Sequence, residues 1–142
     1  MEIVETRSAL LSNFEVLSLL KEQETERKQQ AQHKLPENLL TVEFEVLQFL
    51  GETACATQSQ EQLTNFLEAV KSYGLTRAEK LQILNLRPRS AVEIHLLIEE
   101  CEERFSQERL EELIQLVKKT LPRDDDDDDN EVDEENDDQM EE

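Results

Sequence analysis

The sequence predicts an all-α fold: a helical bundle, preceded by a helical partner-binding segment and followed by a disordered acidic tail. Three observations carry this reading. The chain has only two glycines, three prolines and no tryptophan, with 35% charged and 4% aromatic residues, a composition that favours helix over strand. Ser/Thr-x-x-Glu/Gln boxes recur ahead of apolar residues spaced three and four apart. The acidity is concentrated: 14 of the 35 acidic residues lie in 124–142, with no basic residue among them, and such a run cannot collapse against its own repulsion.

Residues 1–12 read as a lead-in. Ser12-x-x-Glu15 opens a helix at Asn13 whose apolar stripe runs through Leu10, Leu11, Phe14, Leu17 and Leu20. From Lys21 the stretch KEQETERKQQAQHK, which ends before Pro36, has no large apolar side chain, so it is either a solvated helix extension or a flexible linker, within a polar segment of about 21–38. Residues 39–50 are ambiguous. Val42, Phe44 and Val46 alternate with Glu43 and Glu45 as in a strand, whereas Leu40, Phe44, Leu47 and Leu50 fit a helix closed by Gly51. Helix is preferred, because twelve residues is long for a strand and no pairing strand is evident.

The remaining elements are better punctuated. Ser59-x-x-Gln62 opens a helix with Leu63, Phe66, Leu67, Val70 and Tyr73 on one face, stopped by Gly74. Thr76-x-x-Glu79 opens a helix that must end near Leu86, since Pro88 disfavours helical Arg87. Ser90-x-x-Glu93 opens one expected to run inward through Ile94, Leu97, Ile98 and Cys101. Ser106 starts the last, with Leu110, Leu113, Ile114, Val117 and Leu121 inward and Pro122 as its stop. The predicted organisation is thus 1–58, a helical segment awaiting a partner; 59–122, a compact bundle; and 123–142, the tail.

No catalytic, metal or cofactor site is expected. Only Gly51 and Gly74 exist, too few for a phosphate-cradling loop. His33 and His95 form no zinc-binding helix motif, and Cys101 lies six residues after His95, off a shared helical face. Cys55 and Cys101 stand alone rather than in ligand pairs. The acidic tail lacks the glycine and spacing of a calcium loop. Residues 1–20 carry Glu2, Glu5, Arg7 and Glu15, so neither a signal peptide nor a membrane span is expected there, and a reducing compartment, nucleus or cytoplasm, follows.

Two features point to partners. Arg77, Lys80, Arg87 and Arg89, opposed only by Glu79, give a local charge of +3, suited to nucleic acid or an acidic protein factor, or simply to solvated helix ends. Residues 39–50 are apolar nearly all round, and such a helix must be enclosed. A bundle of about 60 residues has a core too modest to enclose them. A protein partner over residues 8–50 is therefore expected, with Leu10, Leu11, Phe14, Leu17, Leu20, Leu40, Phe44, Leu47 and Leu50 as its contacts.

The stretch LTRAEKLQILNLRPRSAVEIHLLIEECEERFSQERLEELIQLV, with LLSNFEVLSLL near the start, resembles the smaller stalk subunit of RNA polymerase III and its counterparts in polymerase II and archaeal polymerase. The resemblance covers about residues 8–121; the turn at Asn85, Arg87 and Pro88 is its most specific part. It implies the HRDC-like fold, a larger OB-fold stalk subunit as partner for the Leu10–Leu20 and Leu40–Leu50 positions, and support of transcription initiation by a non-catalytic subunit of a nuclear complex. The family also carries a receptor-component name, which implies an alternative: a signalling adaptor associated with a peptide-hormone receptor.

Overall fold

A computed structural model of the chain describes Val4, residues 9–29 and 35–124, and Asp126. Among these residues are seven α-helices, two 3-10 turns and no strand. The chain divides into two compact units, Met1–Ser59 and Gln60–Glu142.

The first unit is built on α1 (Asn13–Gln29) and α2 (Glu37–Gly51). The N-terminal box of α1 is formed: the Ser12 N–H donates to Glu15 Oε2 at 2.7 Å and the Glu15 N–H donates to Ser12 Oγ at 3.2 Å. This satisfies two helix-start amides that would otherwise lack acceptors. The polar stretch after Lys21 is helical as far as Gln29, held by Glu24 and Lys28 at 2.8 Å, in the favourable acid-before-base order, and by Arg27 and Lys28 in the last turn. His33 lies outside the described residues.

Residues 39–50 are helical. The helical period decides burial: Leu50 is buried and Val46 and Leu47 are half-buried, while Val42 and Phe44 of the strand-like alternation are exposed. After α2 a 3-10 turn, Ala54–Thr57, places the buried Cys55 beneath the helix end. Its thiol donates to the Leu50 carbonyl at 3.2 Å, and Thr53 Oγ1 donates to the same oxygen at 2.8 Å. The core of the unit is small, Leu17, Leu50 and Cys55, with Phe14, Val16, Val46 and Leu47 packed around it. Arg27 and Glu43 form an ion pair between α1 and α2.

The second unit has the larger core. Helix α3 (Gln60–Ala69) tightens into a 3-10 turn, Val70–Tyr73, and ends on Gly74 at φ 65°, a left-handed conformation that glycine adopts without a Cβ penalty. Helix α4 (Arg77–Leu86) and α5 (Ala91–Leu97) both begin with complete capping boxes, Thr76 with Glu79 and Ser90 with Glu93. Arg87 closes α4 in the left-handed region at φ 47°, with Pro88 following.

The expected helix through Cys101 is interrupted. Helix α5 stops at Leu97, Ile98 is extended, Glu100 is left-handed at φ 51°, and a short α6 (Cys101–Arg104) follows. The reason is electrostatic. A continuous helix would crowd Glu99, Glu100, Glu102 and Glu103 at its negative end. The break instead puts Glu102 and Glu103 in the first turn of α6, where the helix dipole favours them. Ile98, Cys101 and Phe105 are all buried in this arrangement.

Helix α7 (Gln107–Thr120) is the spine of this unit. Ser106 Oγ accepts from the Arg109 N–H at 3.3 Å, and Leu110, Leu113, Ile114 and Val117 are buried along one face, with Leu121 just beyond. Phe66, Ile83, Ile94 and Leu113 have no exposed surface. Residues 127–142, the greater part of the acidic tail, lie outside the described residues.

Candidate functional site

The nine apolar positions expected to meet a partner separate by depth. Leu17 and Leu50 are 3% and 5% exposed and form the first unit's own core; Phe14, Leu20 and Leu47 are half-buried. Leu10, Leu11, Leu40 and Phe44 are open to solvent, Leu10 and Phe44 most of all. Further exposed apolar positions lie beyond those nine: Val42, Phe49 and, less fully, Leu35 and Leu39. The helical projection explains why α2 leaves so much uncovered. Packing within the unit uses only the narrow stripe through Val46 and Leu50; Leu40 and Phe44, four apart, line one flank of it, while Val42 and Phe49, seven apart, line the other.

One of these flanks opens on a groove of about 590 Å³ between α1 and α2, lined by Leu20, Leu35, Leu39, Val42 and Val46 with Gln23, Glu26, Arg27 and Glu43. Arg27 and Glu43 neutralise one another within its wall. The groove is therefore apolar with an internally paired charge, suited to apolar side chains and not to a phosphate.

The four basic positions do not form one surface. Arg77 is exposed and Lys80 half-buried, whereas Arg87 is 5% exposed and Arg89 half-buried. The last two are turned onto the end of α7. Arg87 Nη1 donates to the Pro122 carbonyl at 2.7 Å. Arg89 Nη2 donates to the Leu121 carbonyl at 2.6 Å and to Asp126 Oδ2 at 2.7 Å, and Arg89 Nε donates to Asp126 Oδ1. The Arg123 N–H completes the clasp on Asp126 at 2.6 Å. Burial, then the neighbouring Arg89 and Arg123 charges, pull the Arg87 pKa below its usual value. Burial opposes ionisation of Asp126, but the Arg89 guanidinium and the Arg123 N–H outweigh it and hold its carboxyl below the usual range.

A second internal clasp organises the turn before α4. The Glu79 carboxylate is buried and accepts from Arg104 Nη1 at 2.5 Å, from Arg104 Nη2 at 3.1 Å and from the Thr76 N–H at 2.8 Å. The Arg104 bond leads; burial opposes it, and the Thr76 N–H adds to it, lowering the pKa from 4.5 to about 2. Arg104 also donates to the carbonyls of Glu99 and Gly74. Its ion pair therefore joins the α4 start to the α5–α6 break.

Neither cysteine is placed for covalent chemistry. Cys55 is committed to the α2 end, and burial pushes the Cys101 thiol up. Among the described residues no group of three His, Cys, Asp or Glu could hold a metal ion, and no helix is long and apolar enough to cross a membrane. The described residues thus leave apolar flanks exposed on α2, while the arginine clasps of the second unit are taken up by internal acceptors.

The sequence profile of the family described as RNA polymerase Rpb4 matches residues 10–121. The chain is similar to DNA-directed RNA polymerase III subunit rpc9 of Schizosaccharomyces pombe, 35% identical over 129 residues that cover 86% of this chain and 100% of that protein. It is 33% identical to the protein of the same name from Dictyostelium discoideum, covering 84% of this chain and 88% of the relative. It is 26% identical to the Saccharomyces cerevisiae subunit RPC9, covering 82% and 98%. The matched span takes in parts of both units, the α2 flanks and the Glu79–Arg104 clasp.

Proposed function

The chain belongs to the RNA polymerase Rpb4 family, and on that premise we propose that it is the non-catalytic smaller stalk subunit of RNA polymerase III. It works in the nucleus, pairs with a larger stalk subunit carrying an OB-fold, and supports initiation on small non-coding RNA genes. The relatives are polymerase III subunits by name; the receptor-linked adaptor gains no support from them.

The observation that carries the partner is the pair of uncovered flanks on α2. Phe44 and Phe49 are 66% and 65% exposed on a helix whose own unit buries only Leu50 fully. Burying a large apolar side chain contributes about 1.5–3 kcal/mol, so a partner that encloses both flanks gains several such terms. In this arrangement the first unit is the graft onto the partner. The second unit, with its own core of α3 to α7, offers further surfaces to the polymerase or its factors. Recognition of nucleic acid falls to the OB-fold partner, whose fold class binds single strands.

Co-expression with the larger stalk subunit tests this. The double variant Phe44→Asp/Phe49→Asp should fold, because both side chains are exposed in the free chain, and should fail to co-purify with its partner. Unchanged pairing would sink the assignment of α2 as the partner-binding helix. Leu17→Asp would be uninformative, since Leu17 is core.

A further inference from the structure

The second unit also carries an exposed apolar pair that the stalk reading leaves unused. On α5, Val92 and Leu96 are 70% and 81% exposed. They stand four residues apart on one helical face, away from Ile94, which is completely buried. Isolated exposed apolar residues are ordinary. This pair differs in its setting. From residue 90 to residue 103 the chain carries Glu93, Glu99, Glu100, Glu102 and Glu103, all exposed, and no lysine or arginine. The nearest arginines in sequence are committed elsewhere, Arg89 to Asp126 and Arg104 to Glu79.

We propose that the outer face of α5 is a docking surface for a basic protein segment that inserts apolar side chains against Val92 and Leu96. The charge complementarity selects this occupant. The acidic surround repels nucleic acid and anionic lipid, and attracts lysine- and arginine-rich chain. Opposite charge speeds encounter and fixes orientation, while the apolar pair supplies contact area once the segment is seated. An amphipathic helix with apolar residues three or four apart is the form that matches a two-anchor face. Ending α5 at Leu97 leaves Val92 and Leu96 on a short helix followed directly in the chain by the glutamates of the break and of the first turn of α6.

The test is site-specific photocrosslinking in living cells, with benzoylphenylalanine in place of Leu96 in the full-length chain and Glu108 of α7 as the control position. Crosslinked peptides are identified by mass spectrometry. The expected product is a protein segment of net positive charge bearing apolar residues. Its yield should fall at least fivefold when Glu99→Lys and Glu102→Lys are introduced together. The proposal is overturned if the yield at 96 equals that at 108, if the product is an acidic or neutral segment or a nucleic acid, or if charge reversal leaves the yield unchanged. Because the crosslink forms in whichever complex the chain occupies, and co-isolation of polymerase subunits is scored separately, the outcome is independent of the polymerase assignment.

Discussion

Replacing Glu79 by glutamine isolates one charge in the second unit. Glutamine keeps an oxygen that can accept the Thr76 N–H, so the capping box survives, but the pairing with Arg104 Nη1 and Nη2 loses its ionic part. In the native chain the Glu79 pKa falls from 4.5 to about 2, chiefly through the Arg104 bond. A depression of that size corresponds to about 3 kcal/mol favouring the folded state at neutral pH. Arg104 is partly in water, which screens the pair, and about 2 kcal/mol is the expected loss in Glu79→Gln. The sign follows from the depressed pKa. The stabilisation is fully present above pH 4.5 and disappears as pH falls toward 2. Urea unfolding of both proteins at about pH 7 and at steps down to about pH 2.5 measures it. The gap should be about 2 kcal/mol at neutral pH and should narrow steadily below the ordinary carboxylate pKa. Equal stabilities at neutral pH, or a gap that does not change with pH, would refute the assignment of the pair as a stabilising clasp.

Other perturbations follow from the same geometry. Phe66→Ala empties a fully buried site in the second unit and should lower its stability by about 3–5 kcal/mol in chemical denaturation. Gly74→Ala meets no neighbour within 4 Å, but must hold φ 65°; it should cost about 1 kcal/mol in thermal unfolding, a backbone effect without a clash. Arg89→Ala removes donors from the Leu121 carbonyl and from Asp126; it should cost about 1–3 kcal/mol and speed hydrogen exchange at the α7 end while leaving α3 amides protected.

Much of the fold is legible because its helix starts are written locally. Ser12 with Glu15, Thr76 with Glu79 and Ser90 with Glu93 each sit three residues apart, and each forms its reciprocal bonds. Gly74 and Pro88 mark stops for the same local reason. The break between α5 and α6 is not legible: no glycine or proline announces it, Glu100 adopts φ 51°, and Ile94, Ile98, Cys101 and Phe105 keep the spacing of one continuous helical face. The site is only partly legible. Composition reveals that α2 is too apolar to stand alone, but a helix apolar nearly all round does not say which stripe its own unit covers, so pattern alone groups the core residues Leu17 and Leu50 with the exposed Leu40 and Phe44. The basic cluster misleads for a different reason. Arg87 and Arg89 are close to Arg77 and Lys80 in sequence, yet their acceptors lie 32 to 37 residues away, at the end of α7. Spacing along the chain carries no information about such pairings.

Isolation of the N-terminally tagged chain from nuclear extract in moderate salt, with mass spectrometry of its stoichiometric partners, tests the central claim most directly. The account predicts one OB-fold stalk partner at equal abundance together with the subunits of RNA polymerase III, and loss of all of them in Phe44→Asp/Phe49→Asp. Recovery of the chain alone, or in a stable complex that lacks polymerase subunits, would contradict it.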